Sequence, residues 1–157
     1  MVHPLTRNTL YVEQAELLSQ DEYSSGQYHM RLHAPETAAH AKPGQFIHMQ
    51  CDPALYMRRP MSIMRNNPRS KTIDVLYKAH GQGTSLLSRR RVGDKIDLIG
   101  PIGQPFKMKG YKKRPLLIGG GVGIPPIVFL AEHMKKTAKE ISPLVIMGSE
   151  IPFPFKS

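Results

Sequence analysis

Short strand-like stretches run through the first hundred residues of the chain, and apolar and polar residues alternate in the stretch at 27–35. They cover residues 8–19, 27–35, 45–52, 59–81 (two strands joined by a polar loop) and 94–103. Alternation with a period of two is typical of β-strands that bury one face, and Pro and Gly residues separate the stretches as turns do. Residues 83–94 instead predict a short helix that starts after Gly83, with Thr84 or Ser85 as its N-cap. This pattern predicts a mainly β fold built on a small antiparallel barrel.

The pattern changes near residue 111. An apolar strand at 116–118 leads into a glycine-rich turn, then a helix from about Pro125 and a second apolar strand at 144–147. This β–α–β order predicts the start of an α/β nucleotide-binding domain, so we expect one domain over residues 1–110 and a second over 111–157. Two parallel strands cannot bury both of their faces, which favours a truncated second domain and a fragment of a longer polypeptide.

The composition narrows the function classes. Lys and Arg exceed Asp and Glu by 22 to 12, with dense basic blocks at 88–91 and 107–114, but aromatic residues are only 7% and Trp is absent. This argues against nucleic-acid binding, which usually places aromatic residues among the basic ones. No apolar stretch reaches the roughly 18 residues that a membrane span needs. The N-terminus lacks a secretory pattern and Cys51 is the single cysteine, so we expect a cytoplasmic protein with no disulfide.

Metal binding is not predicted. His29 and His33 lie four residues apart on a predicted strand, a spacing that separates them by about 13 Å and prevents them from sharing one ion. One cysteine cannot hold an iron–sulfur cluster.

Two junctions between glycine and helix carry the candidate chemistry. GGGVGIPP at 119–126 follows an apolar strand and opens a helix, and GQGTSLLS at 81–88 opens another. Free backbone N–H groups at such junctions can bind a diphosphate. The alternatives are a tight turn without a ligand at the first and an ordinary helix cap at the second. RRPMSI at 58–63 opens a strand that can pair with the strand IDVLYKAHG at 73–81. This pairing could bring Arg59 to the Gly83-Thr84 junction, which follows the second strand. Two diphosphate sites suggest two dinucleotides.

Four motifs occur in an order that resembles the ferredoxin–NADP reductase-like flavoproteins. They are RRPMSI, LYKAHGQGTSLLS, IGPIGQPF and LLIGGGVGIPP. Within that family the chain is most similar to the branch of electron transfer subunits of two-component dihydroorotate dehydrogenases. The likeness spans roughly residues 8 to 150.

The resemblance implies a role for each residue of the first motif. Arg59 would neutralise the FAD pyrophosphate. Ser62 would be the catalytic residue, hydrogen-bonded near the flavin N5. Pro60 and Met61 would lie against the ring system, with Met61 where many plant-type members carry tyrosine.

The later motifs supply the other residues that the resemblance implies. Leu76, Tyr77 and Lys78 would form the next FAD-contacting strand. Gly83 and Thr84 would hold FAD phosphate. The turn residues Gly120, Gly121 and Gly123 would take the diphosphate of NAD(P)H.

The function implied is that of an FAD-dependent oxidoreductase. It would pass electrons between NAD(P)H and a partner redox protein, in this branch the catalytic dihydroorotate dehydrogenase subunit of pyrimidine biosynthesis. The branch also carries a [2Fe–2S] centre near its C-terminus, which only a longer chain could hold. Two alternatives stay open: a stand-alone NAD(P)H–flavin or ferredoxin reductase, and a non-catalytic module that has lost its cofactor.

Overall fold

Six strands close into an antiparallel barrel in the computed structural model, which describes residues 10–149. They are β1 (Tyr11–Tyr23), β2 (Gln27–His33), β3 (Phe46–Met49), β4 (Arg59–Asn67), β5 (Thr72–Lys78) and β6 (Lys95–Ile102). Their order around the barrel is β1-β2-β5-β4-β3-β6. The predicted mainly β fold with a small antiparallel barrel is therefore confirmed.

The barrel closes because each strand turns alternate apolar residues inward. The fully buried side chains of this core include Leu17, Met30, Leu32, Ile47, Met49, Ile63, Ile73, Ile96 and Leu98. Each side chain of this size contributes about 1.5–3 kcal/mol when it is removed from water. The period-two pattern in the sequence is thus the pattern of the barrel interior.

The helix α1 (Pro35–His40) was not predicted. It begins at the proline that was expected only to end a strand, and no side chain of its own caps it. Instead the Glu13 carboxylate on β1 accepts hydrogen bonds from the backbone N–H groups of Glu36 and Thr37, both at 2.8 Å. The cap comes from a distant part of the chain, which local sequence signals do not reveal.

The helix α2 (Gln82–Leu87) was predicted, but its expected N-cap was wrong. Gly81 occupies the N-cap position instead of Thr84 or Ser85. Thr84 lies inside the helix, where its hydroxyl accepts a hydrogen bond from His80 N at 2.8 Å and donates one to His80 O at 2.9 Å. Thr84 therefore fastens the loop before the helix.

The β–α–β unit has the predicted order. β7 (Leu116–Gly120) leads through a single 3-10 turn (Gly121–Gly123) into α3 (Ile124–Thr137), and β8 (Leu144–Gly148) returns parallel to β7. Leu117 packs under α3, whereas Ile118 and Leu144 on the opposite face are 65% and 63% exposed. Among the residues that the structure describes, only one face of this sheet is covered. The expected domain boundary at residues 110 and 111 stays a prediction.

The helix α3 packs on the outside of the barrel. Phe129 reaches the barrel core cluster, and Ile124 and Val128 bury Met64 of β4. Arg65 Nε also donates a hydrogen bond of 2.7 Å to Glu132 Oε1. These contacts fix the glycine turn, which precedes α3, relative to the barrel wall. Within residues 10–149, no helix is long and apolar enough to cross a membrane.

Candidate cofactor site

The two arginines of the RRPMSI motif have different surroundings. Arg58 forms an ion pair with the Asp97 carboxylate and donates a hydrogen bond of 3.2 Å to Asp97 O. In the described part of the chain, Arg59 donates only to backbone carbonyls, at 3.0 Å to Met57 O and 3.5 Å to Arg58 O. No carboxylate from residues 10–149 pairs with Arg59. Arg58 is therefore neutralised within the fold, and Arg59 keeps a positive charge available to a ligand.

Arg59 lies directly against the start of α2. A Cβ atom added to Gly83 would lie 3.3 Å from Arg59 Nε and 3.7 Å from Arg59 Cζ. The strand β4 and the Gly83-Thr84 junction thus meet on the same side of the barrel. Gly83 allows this close approach because it has no side chain, and a larger residue would push the arginine away. That both grip one diphosphate stays a prediction.

The strand β4 presents alternate residues to the two sides of the barrel wall. Met61 faces inward and is 8% exposed, whereas Pro60 is exposed and Ser62 is half-buried. The Ser62 hydroxyl makes no hydrogen bond to any residue from 10 to 149. Ser62 therefore has a free polar group on the outer surface. The predicted contact of Met61 with a ring system stays a prediction, and its side chain offers little surface outside the core.

Tyr77 on β5 points into the barrel. It is 6% exposed, its ring stacks on Tyr28 with centroids 5.4 Å apart, and its hydroxyl donates a hydrogen bond of 2.9 Å to Gln20 Oε1. Burial raises the pKa of Tyr77, so the phenol stays protonated and acts as a donor. Its neighbours Leu76 and Lys78 alternate to the outer side. Ile63 pairs with Val75, so Ser62 and Leu76 lie at the same end of this strand pair.

A pocket of about 130 Å³ joins the end of β5 to the glycine turn. Its lining residues are Gln27, Leu76, Tyr77, Lys78, Gly121, Val122 and Pro125. The fold thus brings the predicted FAD-contacting strand next to the predicted NAD(P)H turn. Sequence reasoning missed Gln27, because only the β2–β5 register, in which it pairs with Lys78, puts it there.

The glycines of the turn have two different functions. A Cβ at Gly119 would lie only 2.9 Å from Gly123 O and 3.0 Å from the Ile127 side chain, so Gly119 lets β7 and α3 pack closely. Within residues 10–149, no atom lies within 4 Å of a Cβ added at Gly121 or Gly123, and only Gly148 O, at 3.7 Å, lies that close to one added at Gly120. The described part of the chain therefore leaves space beside Gly121 and Gly123, and Gly120 has one ordinary contact with β8.

The histidine pair predicted not to bind metal is part of the barrel wall. His29 Nε2 lies 3.2 Å from Asp74 Oδ2, and Arg31 donates to both carboxylate oxygens of Asp74 at 2.8 and 2.9 Å. Burial raises the pKa of Asp74, but the hydrogen bonds from Arg31 and the nearby His29 ring outweigh it and hold the pKa at about 2. Within residues 10–149, no group of His, Cys, Asp and Glu is placed to hold a metal ion.

Comparison with known proteins identifies the class. Residues 9–106 match the oxidoreductase FAD-binding domain family. The matched residues make up more than half of the chain. The chain therefore belongs to that family, and its resemblance to ferredoxin–NADP reductase-like flavoproteins is confirmed.

Particular relatives narrow the assignment further. The chain is 31% identical over 138 residues to the electron transfer subunit of dihydroorotate dehydrogenase B (NAD(+)) from Shouchella clausii, which covers 85% of this chain and 53% of the relative. The subunit of the same name from Geobacillus sp. strain WCH70 is 41% identical over 100 residues, or 60% of this chain and 38% of the relative. This chain thus spans about half the length of the curated relatives it matches.

Solved structures have the same fold. The NADH-dependent reduced ferredoxin–NADP oxidoreductase superimposes with a TM-score of 0.80 at 26% identity, covering 89% of this chain and 50% of that chain. The ferredoxin reductase in carbazole 1,9a-dioxygenase superimposes with a TM-score of 0.77 at 23% identity, over 89% of this chain and 43% of that chain.

Proposed function

We propose that the chain binds FAD, with the diphosphate held between the Arg59 guanidinium and the backbone of Gly83 and Thr84. The observation that carries this proposal is the position of Arg59, which lies against Gly83 and has no carboxylate partner within residues 10–149. A guanidinium with free donors suits a diphosphate, which offers several anionic oxygens. The membership in the oxidoreductase FAD-binding domain family supports the same ligand.

The residues around Arg59 would then orient the rest of the cofactor. The free hydroxyl of Ser62 would donate a hydrogen bond near the flavin N5, and Pro60, Leu76 and Lys78 would border the ring from the outer face of the barrel. When bound, FAD supplies the redox chemistry by accepting a hydride from a reduced nicotinamide and passing electrons to an acceptor. None of these residues needs to act as a strong acid or base.

The glycine turn would receive the nicotinamide dinucleotide. Gly120, Gly121 and Gly123 leave space for a diphosphate to approach the backbone at the start of α3. The pocket that joins this turn to Leu76 and Lys78 supports a nicotinamide next to the flavin. We therefore infer that NAD(P)H is the second ligand.

The electron acceptor would be a partner redox protein. The relatives from Shouchella clausii and Geobacillus are named electron transfer subunits of dihydroorotate dehydrogenase B, so a catalytic dehydrogenase subunit is the first candidate. A second candidate function is that of a stand-alone NAD(P)H-dependent reductase, which the likeness to the NADH-dependent ferredoxin–NADP oxidoreductase favours.

The test is reconstitution of the purified chain with FAD, followed by anaerobic addition of NADH or NADPH. We expect a yellow protein with one FAD per chain, whose flavin absorption band bleaches on reduction. Reoxidation that requires a dihydroorotate dehydrogenase catalytic subunit supports the first function, and rapid reoxidation by free flavin or ferredoxin supports the second. A protein that stays colourless after incubation with FAD would overturn both.

A further inference from the structure

The side chain of Gln20 joins β1 to the end of α2. Its Nε2 donates to Ser88 O at 2.9 Å, and Arg90 O at 3.3 Å and Leu87 O at 3.5 Å are also within reach. These carbonyls lie at or just after the last residue of α2, where a helix leaves its C=O groups without internal partners. Gln20 is half-buried, and no motif in the sequence points to it.

The Gln20 amide is held from both sides. The carbonyls only accept hydrogen bonds, so the NH2 group must face them, and Oε1 then faces the phenol and accepts a hydrogen bond of 2.9 Å from the Tyr77 hydroxyl. Tyr77 is itself held by burial and by its stack on Tyr28. A rigid chain of contacts therefore runs from the barrel core through Tyr77 and Gln20 to the end of α2.

The other end of α2 meets Arg59. The helix has only six residues and no side-chain cap at its N-terminus, so a shift of its last turn moves its first turn as well. Gly83 contacts the Arg59 side chain in that first turn. The position of the Gly83 and Thr84 backbone relative to Arg59 thus depends on what holds Leu87 and Ser88.

We propose that Gln20 is a positioning residue for the diphosphate of the dinucleotide that binds between Arg59 and Gly83, because it fixes α2 through the carbonyls of Leu87, Ser88 and Arg90. The inference rests on the proposed FAD function. Gln20 lies far in sequence from the motifs that bind the ligand. Its hydrogen bond with Tyr77 would then contribute to ligand affinity as well as to stability.

A matched control exists at the other end of the barrel. Asn66 Nδ2 donates to Ala38 O at 2.9 Å and Ala41 O at 3.3 Å, and so fastens the end of the six-residue helix α1 with the same chemistry. Asn66 pairs with Ile73 near the opposite end of β4 from Arg59. If a side-chain amide at a helix end affects only general stability, Gln20→Met and Asn66→Leu should behave alike.

The experiment measures the affinity of the full chain and of both variants for three ligands. FAD has a diphosphate and a ring, ADP has only the diphosphate end, and riboflavin has only the ring. We expect Gln20→Met to weaken FAD and ADP binding about tenfold, as for one or two lost hydrogen bonds, and to leave riboflavin binding unchanged. Asn66→Leu should lower the melting temperature and leave all three affinities unchanged. Tyr77→Phe, which removes the hydrogen bond that holds Gln20 Oε1, should show a smaller loss of the same pattern.

Two results would overturn the inference. One is an unchanged FAD affinity in folded Gln20→Met, and the other is an equal loss for all three ligands, which indicates general loosening. Failure of the proposed function looks different, because the unmodified chain would then bind neither FAD nor ADP.

Discussion

The contrast between Arg58 and Arg59 gives the sharpest test of the site. In Arg59→Ala the protein loses a guanidinium that has no carboxylate partner within residues 10–149. Its Nη1 donates to Met57 O, and Nε and Nη2 still carry three N–H donors, of which about two can bind diphosphate oxygens. At about 1.5 kcal/mol for each hydrogen bond to a charged group, the loss is about 3 kcal/mol, or roughly a hundredfold in the dissociation constant of FAD.

The matched control is Arg58→Ala. This change removes the ion pair with Asp97 and the bond to Asp97 O, so it should lower the free energy of unfolding by about 1 kcal/mol and leave FAD affinity unchanged. The assay is titration of the apoprotein with FAD, followed by quenching of flavin fluorescence, together with thermal unfolding. Arg59 does not hold the diphosphate if Arg59→Ala binds FAD as tightly as the unmodified chain, or if Arg58→Ala weakens binding by the same factor.

Three further predictions concern α2, the barrel wall and α3. Gly83→Ala should raise or preserve the free energy of unfolding, since Ala is the better helix residue by about 0.5–1 kcal/mol. It should weaken FAD binding, because its Cβ would lie 3.3 Å from Arg59 Nε. An unchanged FAD affinity in a titration would contradict this prediction. The Asp74 pKa of about 2 lies below its ordinary value of 3.8. The ionised carboxylate therefore stabilises the fold by about 2 kcal/mol above pH 4, and this stabilisation is lost as the pH falls through about 2. Urea unfolding should therefore show a smaller decline in stability between pH 4 and 2 for Asp74→Asn, and an identical decline would refute the assignment. Phe129→Ala should lower the free energy of unfolding by about 3–5 kcal/mol, because this α3 side chain is 4% exposed in the barrel core cluster. A smaller loss, measured from the midpoint of chemical denaturation, would argue against this packing.

Much of the fold could be predicted from local sequence patterns. The barrel strands follow period-two alternation, and the β–α–β unit follows from two apolar strands that flank a glycine turn and a helix. The meeting of Arg59 with Gly83 could also be predicted, because the β4–β5 hairpin leads from one to the start of α2. These features depend on residues close in sequence or on a single strand pairing.

The features that were missed depend on contacts between distant residues. The helix α1 forms where Glu13 supplies its cap, and the N-cap of α2 is Gly81 because the Thr84 hydroxyl bonds to His80 instead. Arg59 was named as the ligand arginine through the family resemblance, but the physical difference between the two arginines, the pairing of Arg58 with Asp97 on β6, was not visible in the sequence. No pattern within one segment contains these pairings.

The side-chain directions at the site were equally hidden. The resemblance implied that Met61 and the strand of Tyr77 contact FAD, which stays a prediction, and the structure shows that both side chains point into the barrel. The face that a strand residue occupies depends on the register of the closed sheet, which a single sequence does not specify.

The most direct test is a crystal structure of the chain grown with FAD. We expect diphosphate oxygens within hydrogen-bonding distance of the Arg59 guanidinium and of the backbone N–H groups of Gly83 and Thr84, with Ser62 next to the flavin ring. An FAD molecule whose diphosphate lies elsewhere, with Arg59 in contact with no phosphate oxygen, would contradict it.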